Sequence, residues 1–277
     1  MPTLLSLSPW NNGPASIACA ALAFSVSTAL VRPISREISV FELVFVRSLL
    51  SILLSVAIAA SQQQPHQQPH QQRDHLALLG SPENRTLLMT RGLSGGLAMT
   101  VYYLSIQRLL LAEAMSLLFL NPAIVALLGY AVLGERLNWR QVGGIFTSLA
   151  GMLFVVRPPV DEPWSVDRAS GVAFGVMSAF LASTAYVSIR KIGKKEDALT
   201  IAAYFHSISL ATSIVGMGLF APPVVPGLVD TAYMVSIASC SFLAQLLISR
   251  GFQLTSVAVG SAVNYVQVVF GAVFGGC

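Results

Sequence analysis

Few residues in this chain could do chemistry, and most of those fall inside long apolar runs. Arg47 lies about eight residues into one such run, roughly 12 Å along a helix axis at 1.5 Å per residue. A cation at that depth either faces a polar cavity and an anionic group of a substrate, or pairs with Glu42, or reaches out to the membrane surface. Asn121 and Gln267 fall near the middle of two other runs, and Pro122 beside Asn121 removes a helix hydrogen bond and frees a carbonyl. Two amides at one depth supply donors and acceptors that orient a polar solute without holding it too tightly. Tyr102, Tyr103, Gln245, Asn264 and Tyr265 lie in the same class of run. Singly, each reads first as an interhelical hydrogen bond; together they make a site. His206 is the one histidine inside an apolar run and, with Glu42, a candidate for carrying a coupling proton. Its structural alternative is a hydrogen bond to a neighbouring helix.

Other chemistries find no support. His66 and His70 have the spacing of a metal pair, but they stand in the stretch 62–72, QQQPHQQPHQQ, whose prolines forbid a regular helix. No Cys, Asp or Glu completes a metal site there, so the segment 61–75, with His75, reads as a linker. No HExxH motif and no paired aspartates occur, so an enzyme is not expected, nor any cofactor or metal. Cys19, Cys240 and Cys277 form neither a CxxC pair nor a disulfide framework. Apart from one cluster at 190–195 the 16 Lys and Arg are scattered singly and form no stripe, which argues against a nucleic-acid partner despite the net charge of +4.

The elements that must position these groups follow from composition. Of 277 residues 55% are hydrophobic and 10% charged, against about 25% charged in an ordinary soluble domain, and the mean hydropathy is +0.71. So little charge cannot cover a water-facing surface, and the partner is a lipid bilayer. A spanning helix needs about 20 mostly apolar residues. Runs of that kind occur nine times, at 14–32, 39–60, 87–107, 112–133, 140–157, 169–190, 199–220, 231–252 and 256–276. Membrane strands would alternate apolar and polar residues instead, so the chain is an all-α, polytopic helical bundle. A cytosolic N-terminus places ten Lys and Arg in inside loops and five in outside loops, Arg47 being within a span. Arg190-Lys191 and Lys194-Lys195 carry most of that bias.

Residues 23–31 read AFSVSTALV and residues 179–187 read AFLASTAYV, identical at six of nine positions. Span six then repeats span one, and a five-helix unit must be inverted in its second copy. Inverted repeats are the architecture of many secondary transporters, with the substrate near the midplane where the halves meet. Laying span four on span nine sets Asn121 on Gln267 and Gly129 on Gly275. The halves are 14–157, with five spans, and 169–277, with four, so a tenth span is expected to be missing.

The segment 91–158 is the most specific. An Arg91-Gly92 opening, Tyr102-Tyr103, Ala112 and Ala114, Asn121-Pro122, Leu133-Gly134-Glu135-Arg136 and a Gly-rich fifth span ending Val155-Val156-Arg157-Pro158 follow in order. This resembles the EamA-type repeat of the drug/metabolite transporter superfamily. Glu42 to Arg47 resembles it too, and the half from Gly171 does so more weakly. The resemblance implies a carrier of two inverted five-helix repeats that moves small organic metabolites without ATP. Alternating access through a midplane cavity is the expected mechanism; a transporter-like partner or regulator, inactive for lack of the tenth helix, is the alternative. Glu113 is expected to suit a helix N-terminus, and Glu135-Arg136 to fix a turn. Three GxxxG patterns (Gly92–Gly96, Gly171–Gly175, Gly271–Gly275) read first as packing within the bundle and second as a homodimer contact.

Overall fold

A computed structural model of the chain describes residues 9–31, 33–34, 38–62, 77–109, 113–114, 117, 120–156, 165–220, 222–267 and 269–270. The histidines 66, 70 and 75, most of the Gln-rich segment, Cys277 and the Gly271–Gly275 pattern lie outside these residues. Among them are nine α-helices, one for each apolar run: α1 Gly13–Ala29, α2 Val40–Gln62, α3 Arg85–Ile106, α4 Asn121–Leu133, α5 Trp139–Val156, α6 Val166–Ile192, α7 Ala198–Phe220, α8 Leu228–Leu254 and α9 Val257–Asn264. Four of them, α2, α6, α7 and α8, are long and apolar enough to cross a bilayer unaided, and α1 and α4 are shorter apolar helices.

Local sequence sets the ends. Asn12 accepts the Ala15 N–H at 3.2 Å and Pro14 fills the first turn of α1, while Ser165 accepts the Arg168 N–H at 3.1 Å to start α6. Helix α4 ends on Gly134 at φ 67°, with Gly134 N–H on the Tyr130 carbonyl and Glu135 N–H on that of Gly129. The first is the helix's last ordinary bond and the second a wider closing bond, and the turn between them needs the left-handed conformation glycine adopts freely. Pro122 corrects the reading from sequence. It stands in the first turn of α4, which begins at Asn121, and not in mid-helix. A proline there gives up an N–H that the helix would leave unbonded anyway.

Nearly all packing runs between the halves. Helix α3 lies along α6, α1 along α8, and α2 along α7, with further contacts α3–α7, α2–α8, α4–α6, α1–α9 and α4–α9. Exchanging each helix with the one five places on turns α3–α6 into α8–α1, α3–α7 into α8–α2 and α4–α6 into α9–α1. The contact pattern is that of two related five-helix units, of which nine helices are described. Hydroxyls bond across these seams: Ser27 Oγ with Ser241 Oγ at 2.8 Å, Ser105 Oγ to the Gly171 carbonyl at 2.8 Å, and Ser178 Oγ to the Ala98 carbonyl at 3.0 Å. Small residues let the backbones approach. A Cβ on Gly92 would stand 2.9 Å from the Tyr204 carbonyl oxygen, and one on Gly171 2.8 Å from Leu109. Both described GxxxG patterns are therefore used inside the chain.

Apolar plugs close both ends. At one end Ile17, Leu88, Val125, Ile192, Ile201, Ile248, Phe252 and Val257 form a buried cluster. At the other, Leu43, Met234 and Ile237 do so with Leu30, Ile34, Ile38 and Val46. Each end also has an ion pair between the span-four region and α6: Arg190 with Glu135 at the first, Arg168 with Glu113 at the second, both at 2.9 Å. The two arginines are 22 residues apart on one helix, about 33 Å of axis, close to the roughly 30 Å of a hydrocarbon core. Glu113 thus does more than suit a helix terminus.

Candidate functional site

Between the plugs lies a buried polar centre built from α2, α3, α7 and α8. Arg47 on α2 is nine-tenths buried, its Nη2 meets Met99 Sδ at 2.8 Å, and its Nε has no hydrogen-bond partner among the described residues. Tyr103 is near enough for its ring oxygen to feel that charge, and Phe41 packs edge-on to Tyr103 with centroids 6.3 Å apart. No ion pair joins Arg47 to Glu42. Glu42 accepts instead the Val224 N–H at 3.3 Å, at the end of the bundle where α7 gives way to α8.

Arg91 changes the reading from sequence, which placed it in a cytosolic loop and made Arg47 the one deep cation. Arg91 is the seventh residue of α3 and only 2% exposed. Its Nη2 donates to Gln245 Oε1 at 3.0 Å, its guanidinium carbon lies 4.8 Å from the centre of the Phe205 ring, and its Nε is without a partner among the described residues. Gly95, one turn on, makes the room, because a Cβ there would collide with Arg91 Nη1 and stand 2.9 Å from Phe205. Arg91 accordingly leaves the inside-loop count.

His206 follows Phe205 on α7 and is fully buried, with the Phe205 ring centroid at 5.2 Å and that of Phe242 at 6.4 Å. Neither ring nitrogen has a hydrogen-bond partner among the described residues. Among those residues nothing makes the hydrogen bond of a purely structural histidine. Both Arg47 and Arg91 are within electrostatic range of it.

The remaining predicted residues divide. Gln245 joins this centre through Arg91. Asn121 is buried, and its backbone carbonyl accepts Ser183 Oγ of α6 at 3.2 Å; the Gln267 carbonyl likewise accepts Ser25 Oγ of α1 at 3.1 Å. Asn264 Oδ1 is buried without a partner among the described residues, Tyr265 is buried, and Tyr102 and Tyr103 are half-buried with ring centroids 6.5 Å apart. Ser25, and not the Ser27 that aligns with Ser183 in the nine-residue match, meets Gln267. Ser27 turns to α8. Among the described residues no three His, Cys, Asp or Glu lie close enough to hold a metal.

Residues 11–157 match the EamA-like transporter family, which is more than half of the chain. The chain belongs to that family. An EamA-like transporter is a multi-pass membrane protein that carries small molecules by secondary transport, and not an enzyme. This one is 28% identical over 257 residues to the pseudopaline exporter CntI of Pseudomonas aeruginosa, covering 92% of this chain and 84% of the relative. It is 25% identical over 208 residues to human solute carrier family 35 member G1, 71% of this chain and 56% of that protein. An uncharacterised membrane protein of Saccharomyces cerevisiae is 26% identical over 213 residues, 70% of this chain and 51% of its own length. A crystal structure 18% identical in sequence superposes with a TM-score of 0.76 over 94% of this chain and 86% of that one, which establishes the fold.

Proposed function

We propose that this EamA-like transporter moves a small polar organic metabolite by alternating access, with its substrate held between the halves 14–157 and 169–277. The observation that carries this reading is the buried polar centre. Arg47 and Arg91 come from the first half, His206 and Gln245 from the second, and the helices that supply them are those that face each other across the seam. Rocking one half against the other would open either plug while the other stays closed, exchanging the end open to solution. Asn121, Gln267, Asn264, Tyr265, Tyr102 and Tyr103 complete the lining, and His206 is the residue proposed to carry a coupling proton, Glu42 being engaged at the bundle end. Trp10, Arg190 and Arg250 share one end of the bundle, where Arg250 Nε donates to the Trp10 carbonyl and Arg190 Nη1 to that of Gln253. The excess of basic residues there supports a cytosolic N-terminus.

Counterflow in liposomes tests the reading. Purified protein preloaded with a panel of unlabelled metabolites is expected to draw in at least one labelled counterpart faster than empty vesicles. Flux at the level of empty vesicles for every solute would leave the partner or regulator reading instead.

A further inference from the structure

Arg47 and Arg91 put two positive charges into the core, and no carboxylate among the described residues answers them. The acidic side chains that reach into the bundle are committed elsewhere. Glu42 holds the Val224 N–H, Glu113 holds Arg168, Glu135 holds Arg190, and Glu196 takes hydrogen bonds from Ser81 and Asn84. An uncompensated cation at membrane depth is costly, and two such charges also repel. For packing alone, apolar residues of similar volume are as good or better.

The donors left over indicate what the charges are for. A guanidinium carries five N–H donors in a planar fork that matches a carboxylate. Arg91 gives one to Gln245, Arg47 gives one to a thioether, which is a weak acceptor, and the Nε of each has no partner among the described residues. Their spacing can be read along α3. Arg91 Nη1 lies against Gly95 and Arg47 Nη2 against Met99, positions one turn apart, or about 6 Å of axis. His206, bare at both ring nitrogens, is in electrostatic range of both. A neutral solute would satisfy donors and leave the charge, and a cationic one would add to it.

Resting on the transport reading above, we propose that this site takes a small organic anion with two carboxylates, one engaged by Arg47 and one by Arg91. Detergent-purified protein is titrated at constant ionic strength with succinate, butyrate, succinamide and inorganic phosphate, read by calorimetry and by thermal stabilisation. Succinate is expected to bind about tenfold or more tightly than butyrate, and succinamide and phosphate to bind more weakly still. Arg47→Gln and Arg91→Gln should each weaken succinate about tenfold or more, the loss typical of a charged hydrogen bond. If a glutamine variant does not fold, the lysine variant at the same position keeps the charge, loses the fork and is expected to weaken succinate less.

Succinate no tighter than butyrate, succinamide or phosphate, or unaffected by folded arginine variants, overturns the proposal. Liposomes separate the two readings. Flux of neutral or cationic solutes indifferent to dicarboxylates sinks the dianion site and keeps the transporter. Dicarboxylate binding without flux of any solute does the reverse.

Discussion

Glu135 accepts Arg190 Nε at 2.9 Å on one carboxylate oxygen and the Val257 N–H at 3.1 Å on the other. One side chain therefore ties the end of α4 to the end of α6 and the start of α9. The left-handed turn at Gly134 aims it there. If this end opens during transport, the tie must break. A partly exposed ion pair contributes about 1 kcal/mol or less, weak enough to open and strong enough to bias. Glu135→Gln keeps an acceptor and removes the charge. In a background free of Cys19, Cys240 and Cys277, Ser249→Cys on α8 should then react with a maleimide several-fold faster than beside native Glu135. Equal rates would mean the pair does not hold the end shut.

Gln245→Glu separates stability from function at the same centre. Placed where Oε1 now accepts Arg91 Nη2 at 3.0 Å, a carboxylate would supply the missing counter-ion. The folded protein should melt at a higher temperature while dicarboxylate binding falls about tenfold or more, because the site has lost net positive charge. Gln245→Leu does the opposite to stability, leaving a charged donor unsatisfied at a cost of about 1–3 kcal/mol. A Gln245→Glu protein that binds anions normally would show that Arg91 serves packing alone.

Gly95 is the steric counterpart. Gly95→Val sets a branched side chain where even a Cβ meets Arg91 Nη1 and Phe205. Overfilling a packed core costs about 1–3 kcal/mol, so a lower melting temperature is expected, with Arg91 displaced and ligand affinity reduced. Gly218→Ala, where a Cβ would meet nothing within 4 Å, is the matched control and should change little. Similar losses in both would point to a general effect of the helices.

Much of this was legible in the sequence, for a physical reason. Span count, helix type and pairing of halves depend on apolar runs and turn residues, which are local. Arg91 was not legible. Six residues after α3 begins, it looks like any cation flanking a membrane helix, and only α7 and α8 bury it. The one clue was Gly95-Gly96, which opens space a turn away. Pro122 was misplaced because an apolar run hides where a helix begins. The match of Ser27 with Ser183 found the right helices but not the right faces: seven residues make two turns, and a shift of two positions changes the neighbour.

His206 allows the sharpest division between structure and function. Its ring sits between Phe205 and Phe242, fully buried, with both nitrogens bare among the described residues. A buried polar atom with no partner costs about 1–3 kcal/mol, so the fold gains nothing from imidazole at this place. Phenylalanine is a somewhat larger flat ring that carries no such cost, and its added volume is small beside the polar penalty removed. His206→Phe is therefore expected to raise the melting temperature of the purified protein. Two uses fit its position beside Arg47 and Arg91: donating a hydrogen bond to the bound solute, or carrying a proton with it. His206→Phe should lower flux about tenfold or more under either. His206→Gln divides them, because an amide donates but does not titrate. If His206 only donates, the glutamine variant recovers flux and still responds to an imposed pH gradient. If it carries the proton, flux in the glutamine variant becomes indifferent to that gradient. A His206→Phe protein that is both more stable and fully active would remove His206 from the site.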